Sequence, residues 1–256
     1  MKRWIDFSFY SSVKIGPLLE VEVIEEIGGC EGLQVIGHAY NLLLSPQASS
    51  LAVLGDSFEG ITLEDGFLKV GAATPSGRVF SYAKRENLRG FEMLGALPGS
   101  VGGLVKMNAG MKSYEIKEIL EGIITARGFV PASELGLGYR SSGIDEIIFY
   151  ALFKRIEGFR GELLEEFRLM RSRQPKGASF GSVFKNPVGD YAGRLIEAVG
   201  LKGVKRGGAI FSPLHANFLI NEGGASFEDA HWLIKEAQKR VHEAFGIKLE
   251  PEVVIL

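Results

Sequence analysis

The chain has 256 residues, 46% of them hydrophobic and 23% charged, with a formal net charge of −2. That length holds two domains or one large α/β domain, and the near-neutral balance does not suggest a nucleic-acid or membrane-surface protein, which would usually show a basic face. A single cysteine, Cys30, excludes an intrachain disulfide, and His38, His215, His231 and His242 stand at no metal-ligand spacing, which argues against a zinc site.

The N-terminal segment lacks the long apolar core of a signal peptide. Residues 147–153, the longest strongly apolar run, are too few to span a bilayer, so a reducing cytoplasm is the expected location. Residues 33–37 read as a buried strand stopped by glycine, and residues 51–56 as another. Over 61–74 two alternating apolar runs flank Asp65 and Gly66, the preferred pair for a tight hairpin turn; residues 122–130 repeat the pattern. The character then changes. Leu163, Leu164, Phe167 and Met170 have helical spacing that ends before Pro175, and residues 192–203 read as a short helix closed by Gly200. Residues 226–246 carry the strongest helical pattern. Ser226 is the N-cap with Asp229 three residues on, Gly246 closes the end, and Ala230, Leu233, Ile234, Ala237, Val241, Ala244 and Phe245 form the apolar face. Residues 247–256 read as a last strand. Glycine and charge interrupt the apolar pattern at 155–160, which places a domain boundary there.

The 34 glycines gather in short runs while apolar content stays high between them. Such runs build backbone loops that approach a large flat or anionic ligand closely. Residues 37–45 (GHAYNLLLS) fit a phosphate-facing turn or a plain strand-turn-strand. In residues 96–110 (ALPGSVGGLVKMNAG) small residues surround Ser100. This is neither a Walker A loop nor a dinucleotide fingerprint, and packing alone is the other explanation. Arg140 lies beside Tyr139 in a loop, where an arginine binds a carboxylate bidentately or is a surface residue. The cluster Arg168, Arg171, Arg173, Lys176 and Lys185 suits a diphosphate or a solvated helix end. Ser182 is outside a hydrolase elbow, because the residues around it do not meet the G-x-S-x-G spacing.

Taken in order, these segments resemble the UDP-N-acetylenolpyruvoylglucosamine reductase family from about residue 37 to the C-terminus. The likeness is carried by LPGSVGG and MNAG, by GSVFKNP with AGRLIEAVGLKG, and by HANFLIN with FGIKLEPEV. It implies an α+β fold. A two-subdomain FAD-binding part of the vanillyl-alcohol-oxidase type would occupy residues 1–155, its α/β subdomains at about 1–56 and 57–155, with an α+β substrate-binding domain at 156–256. It also implies a monomer that uses FAD and NADPH to reduce UDP-N-acetylglucosamine enolpyruvate to UDP-N-acetylmuramate.

Carried over residue by residue, the FAD-holding positions fall on Gly37, His38, Ala39, Tyr40, Asn41, Leu42 and Leu43, and on Pro98, Gly99, Ser100, Val101, Gly102 and Gly103. Asn108, Ala109 and Gly110 fall close to the isoalloxazine. The catalytic positions are Arg140, Ser182 and Glu252, while Tyr139, Arg173, Lys185, Asn186 and His215 face the substrate. In that scheme flavin N5 gives hydride to C3 of the enolpyruvyl group, Arg140 stabilises the charge on the carboxylate, and Ser182 protonates C2. Glu252 assists as a protonated acid with a raised pKa, or through a water, because its ionised form would repel the developing charge. The chain departs from the family at His38 and Tyr40, where glycine and serine are usual. The interval from Arg140 to Ser182 has no room for the tyrosine loop of the longer branch, so the chain resembles the compact branch. Two other readings share the residues: an FAD oxidase or dehydrogenase of small hydroxylated molecules, and a nucleotide-sugar-binding regulator without catalysis. The substrate-domain motifs argue against the first, and the joint presence of Arg140, Ser182 and Glu252 against the second.

Overall fold

The computed structural model describes residues 1–256, which divide into two compact units. The first comprises 1–3, 21–38 and 50–172; the second comprises 4–20, 39–49 and 173–256.

The first unit is built on a five-stranded antiparallel sheet in the order Gly128–Pro131, Leu120–Thr125, Tyr150–Phe153, Phe67–Gly71, Ile61–Glu64. Its outer hairpin turns through Asp65 (φ 48°) and Gly66 (φ 82°), two left-handed residues whose twist matches that of the strands, as the Asp-Gly pair predicts. Three helices, Ser76–Arg85, Val101–Lys106 and Leu163–Ser172, deliver Val79, Ala83, Leu104, Val105 and Phe167 to a core shared with Leu68, Val70, Ala151 and Phe153. In a second sheet Leu51–Leu54 pairs in parallel with Leu18–Ile24 and with Gln34–Val35, around Ile24, Ala52, Phe58 and Phe149. The strand expected over 33–37 is therefore shorter than its pattern. Gln34 is exposed and Gly37 turns the chain away at φ 48°.

The second unit has a four-stranded antiparallel sheet, Ala178–Ser182, Phe218–Asn221, Ala209–Phe211, Lys205–Arg206 in order. The helices Ala192–Ala198 and Phe227–Phe245 bury Leu195, Ile196, Leu233 and Ile234 with Phe180, Phe211 and Leu219. Ser226 and Asp229 form a complete capping box, and Gly246 closes the long helix at φ 69°, satisfying backbone groups that a helix end leaves orphaned. Its buried stripe stops at Val241. Ala244 and Phe245 are exposed, and the Arg194 guanidinium lies over the Phe245 ring. The final strand is reduced to Val254–Ile255, parallel to Leu42–Leu43, because Pro251 has no N–H for a ladder and makes one isolated bridge to Phe184.

The division of the chain differs from the expected boundary at 155/156. Residues 156–172 pack with the first unit, since the helix Leu163–Ser172 buries Phe167 against the edge of Tyr114, ring centroids 5.4 Å apart. Residues 4–20 and 39–49 pack with the second, to whose core Val13, Ile15 and Leu43 belong.

Candidate active site

In the first unit Gly37 and Ser100, remote in sequence, meet. A β-carbon at Gly37 would stand 2.8 Å from Ser100 Oγ, and the residue's φ of 48° is itself unfavourable for any other side chain. The segment after Ser100, expected as a glycine loop, is a short helix, Val101–Lys106. Two internal bonds explain this. The amide N–H groups of Val101 and Gly102 donate to the carbonyls of Thr74 (3.0 Å) and Ala72 (2.8 Å), and Val101, Leu104 and Val105 are buried. Gly102 has a packing reason for its bareness, because a β-carbon would lie 3.0 Å from that of Ala72. Gly103 has none. It is exposed, its φ demands no glycine, and a β-carbon would make only an ordinary 3.5 Å contact with Ser100 Oγ. Gly103, bare beside Ser100 without a packing reason, leaves open backbone for a closely approaching ligand, which is compatible with a flavin nucleotide there.

Residues 108–110 and the Arg140 loop also come together. Asn108 is fully buried with φ 39°. Its Nδ2 donates to the Gly138 carbonyl (2.8 Å) and to Glu115 Oε2 (3.2 Å), and its Oδ1 accepts from the Lys117 amide (3.0 Å). Arg140, at φ 51°, donates from Nη2 to the Gly110 carbonyl (2.8 Å) and packs over the exposed Tyr139 ring at 5.2 Å. Ser142 Oγ donates to the Lys106 carbonyl (2.6 Å), and Lys106 Nζ donates to the Ile144 carbonyl. Burial pushes the Lys106 ammonium below its usual pKa, against the nearby charge of Asp145. His38 is half-buried and desolvation lowers its pKa, with the Glu59 carboxylate pulling the other way. Glu115 does not emerge from the sequence reading. Only the pairing of Gly110 with Glu115 in the small hairpin reveals it.

In the second unit Ser182 ends a strand whose register shifts between Ser179 and Ser182, with Gly181 left-handed at φ 84°. Such an irregularity re-aims a side chain. The next residues are clamped by buried Asn217. Its carbonyl accepts from the Val183 amide (2.8 Å), its Oδ1 from the Phe184 amide (3.0 Å), and its Nδ2 donates to the Phe184 carbonyl (2.8 Å). The Val183 carbonyl accepts from the Glu252 amide at 2.8 Å, which brings half-buried Glu252 beside the Ser182 segment. Asn41 Nδ2 donates to the Glu252 carbonyl at 2.8 Å. Of the other positions expected to hold a cofactor, Ala39 is buried, Tyr40 exposed, Leu42 half-buried and Leu43 a core residue.

The positions expected to face a substrate have local partners. Lys185 Nζ pairs with Glu250 Oε1 at 2.6 Å. Asn186 Oδ1 accepts from the Ala192 amide at 3.0 Å, at the start of a helix. Arg173 is exposed, and Arg168, on the preceding helix, pairs with Glu165, the solvated-surface alternative. His215 Nδ1 accepts from the Asn217 amide at 3.2 Å. Although His215 has an exposed face, its ring packs edge-on to Phe218, and the resulting desolvation lowers its pKa. With Nδ1 occupied as an acceptor, Nε2 is the ring nitrogen left to donate.

Residues 174–256 match the family described as UDP-N-acetylenolpyruvoylglucosamine reductase, C-terminal domain. Over 98% of each chain the protein is 51% identical to the UDP-N-acetylenolpyruvoylglucosamine reductase of Helicobacter hepaticus. It is 48% identical to that of Helicobacter pylori over 100% of this chain and 99% of the relative. Among solved structures, UDP-N-acetylenolpyruvylglucosamine reductase from Thermus caldophilus matches with a TM-score of 0.86 at 32% identity, covering 100% of this chain and 98% of that one.

Proposed function

The chain belongs to the UDP-N-acetylenolpyruvoylglucosamine reductase family, and from that membership we propose that it reduces UDP-N-acetylglucosamine enolpyruvate to UDP-N-acetylmuramate, with FAD as cofactor and NADPH as reductant. It is thus an oxidoreductase of peptidoglycan-precursor synthesis, acting in our reading as a cytoplasmic monomer. No helix is long and apolar enough to cross a membrane.

The observation that carries this reading is convergence within each unit of residues remote in sequence: Gly37 with Ser100, Gly110 with Arg140, and Asn41 and Val183 with Glu252. Gly37 and residues 98–103 would hold the FAD pyrophosphate, with residues 108–110 beside the isoalloxazine. When bound, the flavin supplies the hydride, taken from NADPH, that C3 of the enolpyruvyl group accepts. Arg140 meets the charge that then grows on the substrate carboxylate. As a guanidinium fixed on the Gly110 carbonyl it needs little reorganisation to do so, which is what makes a preorganised cation effective. Ser182 delivers the proton to C2. A serine hydroxyl is a weak acid and depends on a neighbour to restore its proton. Glu252 takes part in its protonated form or through a water, since an ionised carboxylate opposes the charge being stabilised. Tyr139, Arg173, Lys185, Asn186 and His215 bind the nucleotide sugar, His215 as a neutral donor.

The experiment is direct. The purified protein should show a flavin spectrum and sustain NADPH oxidation beyond one equivalent of bound flavin only when the enolpyruvyl nucleotide sugar is present. A colourless protein that FAD does not reconstitute would overturn the flavin assignment, and flavin without substrate-dependent turnover would favour the small-molecule oxidase.

A further inference from the structure

We propose that Glu115 is the positioning residue of Arg140, fixing the direction in which the guanidinium meets the substrate carboxylate. The inference rests on the role of Arg140 given above and adds to it the group that aims the arginine.

Arg140 sits in a turn at φ 51°, with Gly138 ahead of it tied to Asn108 Nδ2. Its backbone is therefore defined, but a long side chain on such a turn still has free torsions. Besides its packing on the Tyr139 ring, two polar groups restrict that freedom. Nη2 donates to the Gly110 carbonyl at 2.8 Å, and Nη1 lies 4.0 Å from Glu115 Oε1, a charge interaction at the outer limit of an ion pair. The two side chains are 19% and 12% exposed, which limits screening by water.

The carboxylate is itself held. Glu115 pairs with Gly110 across a short hairpin, so the two groups that grip the arginine face each other on one ladder. A β-carbon at Gly110 would lie 2.8 Å from Glu115 Cγ, and the absence of one lets the carboxylate stand there. Oε2 accepts from Asn108 Nδ2 at 3.2 Å and from Lys117 Nζ at 2.8 Å. That second cation matters for binding. A lone carboxylate beside Arg140 would offset the charge the arginine offers to an anionic substrate; Lys117, itself near Glu118, shares the Glu115 carboxylate and leaves more of the arginine's charge for the substrate. The carboxylate thus orients the guanidinium without neutralising the site, as a supporting shell does for a functional group.

The test measures two half-reactions separately in the FAD-loaded protein: reduction of the flavin by NADPH, and its reoxidation by the enolpyruvyl nucleotide sugar. Substrate affinity, by calorimetry, and thermal unfolding give readouts independent of turnover. Glu115→Gln should slow reoxidation by roughly 10- to 100-fold, the scale expected for a misplaced catalytic group, and weaken substrate binding. NADPH reduction should stay within about twofold, and any fall in melting temperature should leave the variant folded and FAD-loaded at the assay temperature. Added to Arg140→Lys, the same change should slow reoxidation by less than about twofold more, because the two residues act as one unit. Glu115→Asp keeps the charge at shorter reach and should recover part of the rate; it carries the same comparison if Glu115→Gln does not fold. An equal loss in both half-reactions, or an undiminished effect of Glu115→Gln in the Arg140→Lys background, would mean a merely structural role and overturn the proposal. A slow Arg140→Lys beside a normal Glu115→Gln would overturn it while sparing the role of Arg140. An Arg140→Lys with normal reoxidation would overturn both.

Discussion

The Asn41 side-chain amide donates to the carbonyl of Glu252 at 2.8 Å across a sequence separation of 211. The Asn41 carbonyl in turn accepts from the Val254 amide at 3.0 Å. Glu252 is thus gripped on both sides, its N–H by the Val183 carbonyl and its C=O by Asn41. Asn41→Ala should cost about 1–2 kcal/mol, the loss from removing one partner of a part-buried hydrogen bond. It should also slow substrate reduction by loosening Glu252. Urea unfolding and steady-state kinetics check both, and an unchanged stability would show that water replaces the amide at no loss.

Ser182 should be needed for one half-reaction alone. Ser182→Ala is expected to slow substrate reduction by roughly 10²- to 10⁴-fold, the usual contribution of a positioned acid, and to leave flavin reduction by NADPH largely intact. Stopped-flow absorbance separates the steps. If both fall equally, Ser182 is a structural or cofactor residue and not the proton donor.

Gly37→Ala tests the cofactor loop. Its φ of 48° and the 2.8 Å approach to Ser100 Oγ predict a loss of about 1–2 kcal/mol from backbone strain alone, together with poorer FAD retention. Adding Ser100→Ala removes the oxygen and leaves the nearest Ser100 atom at 4.0 Å. The double variant should recover the steric part of the loss but not the backbone part. Melting temperature and bound-flavin absorbance report the two.

His38 should weaken the fold as pH falls. Desolvation holds its folded pKa below the ordinary value of 6.5, so the unfolded chain takes up a proton first. Stability is then fully present above the unfolded pKa and declines as pH drops below it, levelling off under the lower folded pKa. His215 shifts the same way. Urea midpoints at pH 7.5 and 5.5 should differ less in His38→Asn than in the unaltered protein; an equal difference removes His38 from the account.

What the residues disclosed in advance was local in origin. Asp65 and Gly66 dictate their own turn, and Ser226, Asp229 and Gly246 dictate where the long helix starts and stops, because caps and turns depend on residues within a few positions. The roles of Glu115 and Asn217 were hidden, since each acts on a backbone or side chain brought to it by tertiary pairing. Residues 101–106 misled for a related reason. Glycines favour a loop locally, but burial of Val101, Leu104 and Val105 and two carbonyls on neighbouring backbone outweigh that preference. The motif positions of Arg140, Ser182 and Glu252 came from the resemblance, and composition alone suggested no more than a flat or anionic ligand.

The interleaved make-up of the second unit sets an order of events during synthesis. Residues 4–20 and 39–49 leave the ribosome early but belong to a core whose remaining members lie at 173–256. Val13, Ile15 and Leu43 therefore lack most of that core until residues 173–256 have been made. By the same token residues 173–256 made alone would lack those three side chains and the partner strand Leu42–Leu43. Such a fragment should be poorly soluble, and a separately supplied N-terminal piece should rescue it in trans.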